Sequence, residues 1–152
     1  MKHCIRILLI SLTTVMLCSC SNENLEPLEF FSELDRIMSS AAGTLDKITD
    51  EKSAHQASQK LVALSAELDA VVLRVKPIDK MSDGEAQYVI SAFARGRSSR
   101  LMLAEAVNKT SKAGDHWVVV GASVARFGKS ILNTTDVLSS YMEALPTPIA
   151  ID

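Results

Sequence analysis

Apolar side chains recur at spacings of three and four residues through most of the chain. One series runs from Phe31 to Ile48, another from Ala54 to Val75, and the longest from Trp117 to Tyr141. Such spacing places the apolar side chains on one side of an α-helix. No strand signal of comparable length competes with these series. The pattern therefore predicts an all-α protein.

Helix-starting and helix-ending residues divide this pattern into four segments. The residues concerned are a proline at a first helical position, three capping positions and a glycine stop, namely Pro27, Asp50, Ser82 with Glu85, Asp115 and Gly114. The predicted helices are 27–48, 51–76, 83–112 and 116–144. Short links between four amphipathic helices predict an up-down-up-down four-helix bundle over 27–145, followed by a flexible tail over 146–152.

The mean spacing of 3.5 residues predicts left-handed, coiled-coil-like packing of these helices. An alternative arrangement has two long helical hairpins that pair between molecules instead of within one. The sequence alone leaves the choice between one chain and two open.

The third segment carries arginines on its apolar series. In its heptad register the series is Ala86, Ile90, Phe93, Arg97, Arg100, Ala104 and Val107. Gly96 permits a local phase shift, and an eleven-residue stretch through Ile90, Phe93, Arg97, Leu101 and Ala104 moves Arg100 outward. Arg97 faces inward in both registers, so the sequence predicts an arginine on the inner side of the bundle.

A buried guanidinium is costly unless it is paired and hydrogen-bonded. One interpretation is an internal ion pair to a carboxylate beside another helix, the candidates being Asp35, Asp69 and Asp136. A second lets the long side chain reach water at the bundle edge. In a third, Arg97 and Arg100 form a fork-shaped clamp for a small anionic ligand between helices.

Residues 1–19 have the layout of a secretory signal peptide. Lys2 and Arg6 form a short positive region, and an apolar run from Ile7 to Cys18 follows them. This run is too short to count as a membrane-spanning helix. A polar linker over 20–26 then leads to the predicted bundle.

The end of this signal resembles the lipobox of bacterial lipoproteins. Leu17, Ser19 and Cys20 match that pattern, whereas Cys18 departs from it because Ala, Ser, Thr or Val is usual at its position. The resemblance implies lipidation, including palmitate-type acyl chains, on the thiol and new amino group of Cys20. Ser21 after the cysteine implies an outer-membrane anchor facing the periplasm. An ordinary signal peptide cut near Ser19, or an uncleaved anchor, is the alternative.

Composition limits the range of possible functions further. All three cysteines, Cys4, Cys18 and Cys20, lie in the leader or at its end, so the predicted bundle has no disulfide. Removal of Lys2 and Arg6 leaves 14 basic and 18 acidic residues, a net charge of −4. This charge and export both argue against nucleic acid as a partner.

The predicted bundle also lacks the recognisable motifs of catalysis. It contains only two histidines, His55 and His116, and neither lies in a Glu-x-x-His di-iron motif or a Cys-x-x-Cys-His haem motif. We therefore expect no metal, no cofactor and no enzyme activity. The expected function is a membrane-anchored, non-catalytic scaffold or protein-interaction module of the cell envelope. A binding module for a small anionic ligand, held by Arg97 and Arg100, is the alternative.

Overall fold

The protein is described by a computed structural model, which covers residues 24–146. In this part of the chain the regular secondary structure is helical, apart from one isolated β-bridge between Leu25 and Val75. The helices are α1 (Pro27–Asp46), α2 (Glu51–Leu73), α3 (Asp83–Arg95), α4 (Arg97–Ser111) and α5 (Asp115–Glu143). The predicted all-α helical bundle is confirmed. The signal peptide, Cys20 and residues 147–152 lie outside the described residues.

The helix starts are stabilised by the side chains that the sequence indicates. Pro27 occupies the first turn of α1, and Asp50 accepts a 2.7 Å hydrogen bond from the Ser53 amide at the start of α2. Ser82 and Glu85 form the predicted capping box of α3. The predicted cap of the last helix is wrong by one residue, because Gly114 holds the cap position.

Successive helical segments run in alternating directions, with α3 and α4 together forming the third segment. The ends of α1 and α4 lie together, since Lys109 Nζ is 3.2 Å from Asp46 Oδ1, so these two helices run in parallel. Ala57, near the start of α2, belongs to the same apolar cluster as Val120, near the start of α5. At the opposite end, the Met81 amide donates a 3.0 Å hydrogen bond to the Ala144 carbonyl. This arrangement is the predicted up-down-up-down course.

Neighbouring helices in space are not all neighbours in sequence. The main contacts of α1 are with α2, α3 and α4, and those of α2 are with α1 and α5. The link over 74–82 therefore carries the chain across one end of the bundle, from α2 to the start of α3 beside α1. The α2–α5 and α1–α4 pairs, the two most extensive, are both parallel.

Three of the four predicted apolar series form the core. The fully buried members of α2 are spaced as predicted and comprise Ala54, Ala57, Leu61, Leu64, Leu68 and Val71. In α1 and α5 the predicted positions are likewise buried or half-buried. Phe30 and Phe31 of α1 contact the Tyr141 ring at centroid distances of 5.9 Å each, which anchors α5 against α1.

The third segment differs from its prediction in two ways. It is two helices, α3 and α4, that meet at Gly96. Ala86 is buried as predicted, but the rest of the buried side is not the predicted one, because it consists of other, mostly small residues: Val89, Ala92, Gly96, Ser99, Leu103, Ala106 and Thr110. Small side chains on this side let α3 and α4 approach α1, which contributes large side chains to a close-packed core. Both predicted registers are therefore wrong between Ile90 and Ala104.

The segment before α1 is attached to the bundle at Leu25. The Leu25 amide donates a 2.6 Å hydrogen bond to the Arg74 carbonyl, and the Lys76 amide donates a 3.2 Å bond to the Leu25 carbonyl. Lys76 Nζ also lies 3.1 Å from Glu26 Oε1. Leu25 itself is buried. The predicted polar linker over 20–26 is therefore wrong at Leu25, which is part of the folded domain.

Candidate functional site

Arg97 does not face the interior of the bundle. It begins α4 and its side chain is exposed. The prediction that Arg97 stays inward is wrong, because the buried side of α4 is formed by Ser99 and Leu103 instead. A guanidinium in water needs no internal partner, so the physical reason for an interior carboxylate disappears.

Arg100 is half-buried and is held by its own helix pair. Its Nη2 donates a 2.8 Å hydrogen bond to the Phe93 carbonyl, and its guanidinium carbon lies 4.2 Å from the centroid of the Phe93 ring. This geometry combines a charge-assisted hydrogen bond with a cation–π contact. The structure therefore satisfies Arg100 locally, without an acidic side chain.

Of the three carboxylates predicted as internal partners, Asp69 is hydrogen-bonded to another residue, and Asp35 and Asp136 form no ion pair within the described residues. Asp69 accepts a 3.2 Å hydrogen bond from Asn133 Nδ2, which links α2 to α5. Asp35 lies close to Gly96 but forms no ion pair within 4 Å in the described part of the chain, and neither does Asp136. The predicted internal ion pair to Arg97 or Arg100 is therefore absent from residues 24–146.

One exposed side of α3 and α4 carries an apolar row, here named the outer stripe, whose Phe93 ring also contacts the core residue Phe31 at a centroid distance of 6.1 Å. Its members are Ile90, Phe93, Arg97, Leu101 and Ala104, all of them exposed. Ile90 is 50% exposed, Phe93 44% and Leu101 59%. At a rise of 1.5 Å per residue the outer stripe is about 21 Å long.

The outer stripe crosses the junction of the two helices. The Gly96 amide donates to the Ala92 carbonyl at 3.2 Å, and the Arg100 amide donates to the Gly96 carbonyl at 3.3 Å. Gly96 is nonetheless a turn residue between the helices, and the Phe93 carbonyl accepts from Arg100 Nη2. Spacings of three and four residues place Ile90 and Phe93 on one side of α3, and Arg97, Leu101 and Ala104 on one side of α4.

The outer stripe has a local charge opposite to that of the whole chain. Arg95 and Arg97 are exposed and Arg100 is half-buried, all within six residues. No carboxylate of residues 24–146 lies within 4 Å of any of the three. Arg95 lines a cleft on another side of the helix, with Asp35, so the outer stripe itself carries Arg97 at its middle and Arg100 at its edge.

Two open clefts lie between α1 and α3, beside the outer stripe. One has a volume of about 240 Å³ and is lined by Leu28, Phe31, Ser32, Asp35, Ala92, Arg95 and Gly96. The other has a volume of about 230 Å³ and is lined by Glu26, Pro27, Leu28, Ile78, Glu85, Tyr88 and Val89. Neither contains Arg97 or Arg100, so neither is the predicted anion clamp.

Tyr141 is the one buried side chain, within the described residues, whose polar atom has no hydrogen-bond partner. It is 2% exposed. Burial raises its pKa from 10.0 to about 12, and the negative charge of Glu26 adds to the effect. The hydroxyl lies deep in the aromatic cluster with Phe30 and Phe31, where the neutral phenol is strongly preferred.

Residues 24–146 contain no group of three or more His, Asp or Glu side chains arranged to hold a metal ion. None of the described helices combines the length and apolar character needed to cross a membrane. The search of protein-family models, of curated proteins and of solved structures found no match to this chain.

Proposed function

We propose that this protein is a lipid-anchored, non-catalytic helical bundle that binds another protein of the cell envelope. The observation that carries the proposal is the outer stripe. Two consecutive helices that bury small side chains and leave Ile90, Phe93 and Leu101 exposed over about 17 Å present an apolar ridge for a partner. Single exposed apolar residues are common, but a row of them on one helix face marks an interaction surface.

One other exposed apolar row has the same spacing, Val62, Ala66, Ala70 and Leu73 of α2, but two of its four members are alanine. Val118 and Leu132 of α5 are exposed, but they lie about 21 Å apart along the helix and Lys129 lies on the face between them. Leu73 stands at the end of α2, apart from either. The outer stripe is therefore the surface on which the proposal depends.

Attachment of Leu25 to the bundle supports a short tether between the proposed lipid anchor and the domain. Cys20 precedes Leu25 by five residues, and a fully extended chain of that length spans at most about 18 Å. Lipid on Cys20 would thus hold the bundle end formed by the start of α1 and the link over 74–82 next to the bilayer. Two or more acyl chains on one residue provide stable anchoring.

Side-chain hydroxyls in the interior support a structural role for this bundle. Ser65, Ser99 and Ser123 are buried, and each donates a hydrogen bond of 2.8–2.9 Å to a carbonyl of its own helix. A nucleophilic serine instead needs a neighbouring base that orients and deprotonates it. His55 lies on the surface, 3.8 Å from Glu51 of its own helix turn.

The alternative function is binding of a small anion by Arg97 and Arg100. The absence of carboxylates within 4 Å of both guanidinium groups in residues 24–146 favours it. It requires Arg100 to give up or share its hydrogen bond to the Phe93 carbonyl. Exposure of Arg97 also leaves a bound anion in water, where a single ion pair contributes little.

The proposed function is tested by site-specific photo-crosslinking in intact envelopes, with the signal sequence and Cys20 unchanged. A photoreactive amino acid replaces Leu101 in the outer stripe, or Gln59 on the exposed side of α2 as the matched control. We expect adducts with another envelope protein from position 101 and not from position 59.

Equal or absent adducts at both positions would contradict protein binding through the outer stripe. In that case the purified domain is melted with and without inorganic phosphate or citrate. Stabilisation by the anion that disappears in both Arg97→Leu and Arg100→Leu would establish the alternative function. Labelling with palmitate separately tests the anchor. Incorporation that disappears in Cys20→Ala would support lipidation of Cys20, and failure to incorporate the label would contradict it.

A further inference from the structure

We propose that the outer stripe binds an amphipathic helix of the partner protein, and that this helix places an aspartate or glutamate opposite Arg97. The inference rests on the proposed function, because it assumes that the outer stripe binds protein. It goes further by naming the secondary structure and the charge of the segment that is bound.

The shape of the outer stripe favours a helix as the bound segment. Phe93, Arg97 and Leu101 are four residues apart, and Ile90 and Ala104 extend the row by three residues at each end. A row of residues at intervals of four forms a straight ridge on a helix. Such a ridge packs into the groove between the corresponding rows of a second helix, which is how apolar helix faces are recognised.

The charge of the outer stripe specifies the partner further. Arg97 lies at its centre and is exposed, so any segment that covers Phe93 and Leu101 also removes water from the guanidinium. Covering a charge without a partner is costly, whereas a carboxylate forms two parallel hydrogen bonds with guanidinium. Arg100, which is half-buried against Phe93, adds positive charge beside Arg97 and attracts the same negative charge.

The same arginine disfavours a second copy of this chain. A two-fold arrangement centred on the outer stripe would place Arg97 of one copy against Arg97 of the other. Two like charges become more repulsive as they are removed from water. Glu105 lies four residues beyond Leu101, past the end of the outer stripe, so a two-fold arrangement centred on Arg97 does not place this carboxylate opposite Arg97.

A lipid surface is also less suitable than a helix. Helices that lie in a membrane interface keep their cationic residues on the polar face, whereas Arg97 lies in the middle of the apolar row. The outer stripe also begins at Ile90, about 10 Å along the helix from Asp83 at the tethered end. The proposed surface therefore faces the space beyond the bilayer.

The test combines the photo-crosslink at position 101 with charge reversal at position 97. The crosslinked peptide is identified by mass spectrometry from envelopes that contain the full, lipidated protein. We expect a segment of another protein with apolar residues at three- and four-residue spacing and an Asp or Glu within one turn of the crosslinked position. We expect Arg97→Glu to lower the adduct yield at least about tenfold, because a covered charge pair would become a repulsion.

Replacement of the partner's identified Asp or Glu by Lys should restore the adduct yield of Arg97→Glu. The same replacement should lower the adduct yield when Arg97 is unchanged. Arg126→Glu, an exposed arginine of α5, is the matched control and should leave the yield unchanged. Circular dichroism melting of both arginine variants should show unchanged stability, since neither side chain is buried.

Failure of this inference can be distinguished from failure of the proposed function. An adduct with a second copy of this chain, with lipid, or with a segment that lacks the acidic residue would overturn this inference. An adduct with a non-helical segment of an envelope protein would overturn it too, while the proposed function would stand. No specific adduct at position 101 would overturn the proposed function and the inference together.

Discussion

The Arg100 side chain crosses back over the ring of Phe93, with the guanidinium carbon 4.2 Å from the ring centroid and Nη2 2.8 Å from the Phe93 carbonyl oxygen. The two residues belong to different helices, α3 and α4, on either side of Gly96. This contact bridges the turn at Gly96, where the Gly96 and Arg100 amides donate to the Ala92 and Gly96 carbonyls. It therefore links the two helices that carry the outer stripe.

Replacement of Gly96 by alanine should stabilise the protein by about 0.5 kcal/mol. The backbone angles at Gly96, φ −69° and ψ 1°, are accessible to alanine, which has the higher helix propensity. The new Cβ would lie 3.0 Å from Arg100 Nη1, the mobile end of a half-buried side chain that can shift slightly. Urea unfolding measures the change. A loss of more than 1 kcal/mol would mean that Arg100 cannot move.

Gly43 and Gly114 should respond to alanine in opposite directions. A Cβ at either position meets no atom within 4 Å, but Gly114 has φ +56° and Gly43 lies within α1. We expect Gly114→Ala to destabilise by about 1 kcal/mol and Gly43→Ala to stabilise by about 0.5–1 kcal/mol. Thermal and urea unfolding of the two variants compare them directly. A neutral Gly114→Ala would show that the turn before α5 adopts another conformation.

Replacement of Arg97 by leucine should change the free energy of unfolding by less than about 0.5 kcal/mol. An arginine in a buried ion pair would instead leave an uncompensated charge and lower stability by about 3–5 kcal/mol. Arg36→Leu serves as a comparison, because Arg36 is 2.7 Å from Glu33 and 2.5 Å from Glu67 on the surface. It should lose no more than about 1 kcal/mol. A large loss for Arg97→Leu would contradict its exposed position.

Replacement of Tyr141 by phenylalanine should leave stability unchanged or raise it by up to about 1 kcal/mol. The ring contacts with Phe30 and Phe31 persist, and the variant removes a buried hydroxyl that has no partner within residues 24–146. Tyr88→Phe, at a residue 67% exposed, is the matched control and should be neutral. A clear loss on Tyr141→Phe, measured by urea unfolding, would reveal a hydrogen bond to this hydroxyl.

Alkaline pH should weaken the fold through Tyr141. Its pKa in the folded protein is raised from 10.0 to about 12, so the contribution of the neutral phenol is fully present below pH 10. That contribution is lost as the pH rises from 10 through about 12, at roughly 1.4 kcal/mol per pH unit within this interval. Tyr141→Phe should lack this component, so its stability advantage over the unchanged protein should grow with pH.

Ultraviolet titration of Tyr88→Phe follows Tyr141 alone, since the chain has only two tyrosines. We expect ionisation near pH 12, and ionisation near pH 10 would contradict burial of the hydroxyl. Comparison of urea unfolding at about pH 8 and pH 11 then separates the Tyr141 contribution from that of the other titrating groups.

Much of the fold was predictable from local sequence. The buried positions of α2 from Ala54 to Val71 match the predicted series, because one large apolar side and one polar side leave a helix a single way to pack. Starts at Pro27, Asp50 and Ser82 were predictable because capping is a local interaction of side chain and backbone. The boundary after Leu73 was not, because Val75 leaves the helix to pair with Leu25, fifty residues earlier.

The candidate site was only half predictable. The sequence indicated an apolar row with Arg97 in it, and the row exists with the spacing of the eleven-residue alternative. Its direction was predicted wrongly, since the larger apolar side chains Ile90, Phe93 and Leu101 were assigned to the core. The missed signal was the second row of small residues that includes Ala92, Ser99 and Ala106 on the other face of the same helices.

The amino-acid sequence by itself determined the helical class and the starting residues of α1, α2 and α3, because helix periodicity and capping depend on residues within a few positions of one another. The tertiary structure alone decided which face of α3 and α4 is buried, since that depends on the size of the side chains that α1 presents. It likewise decided that Leu25 belongs to the folded domain and that Arg97 faces water. These outcomes depend on contacts between distant residues, which periodicity along the chain does not encode.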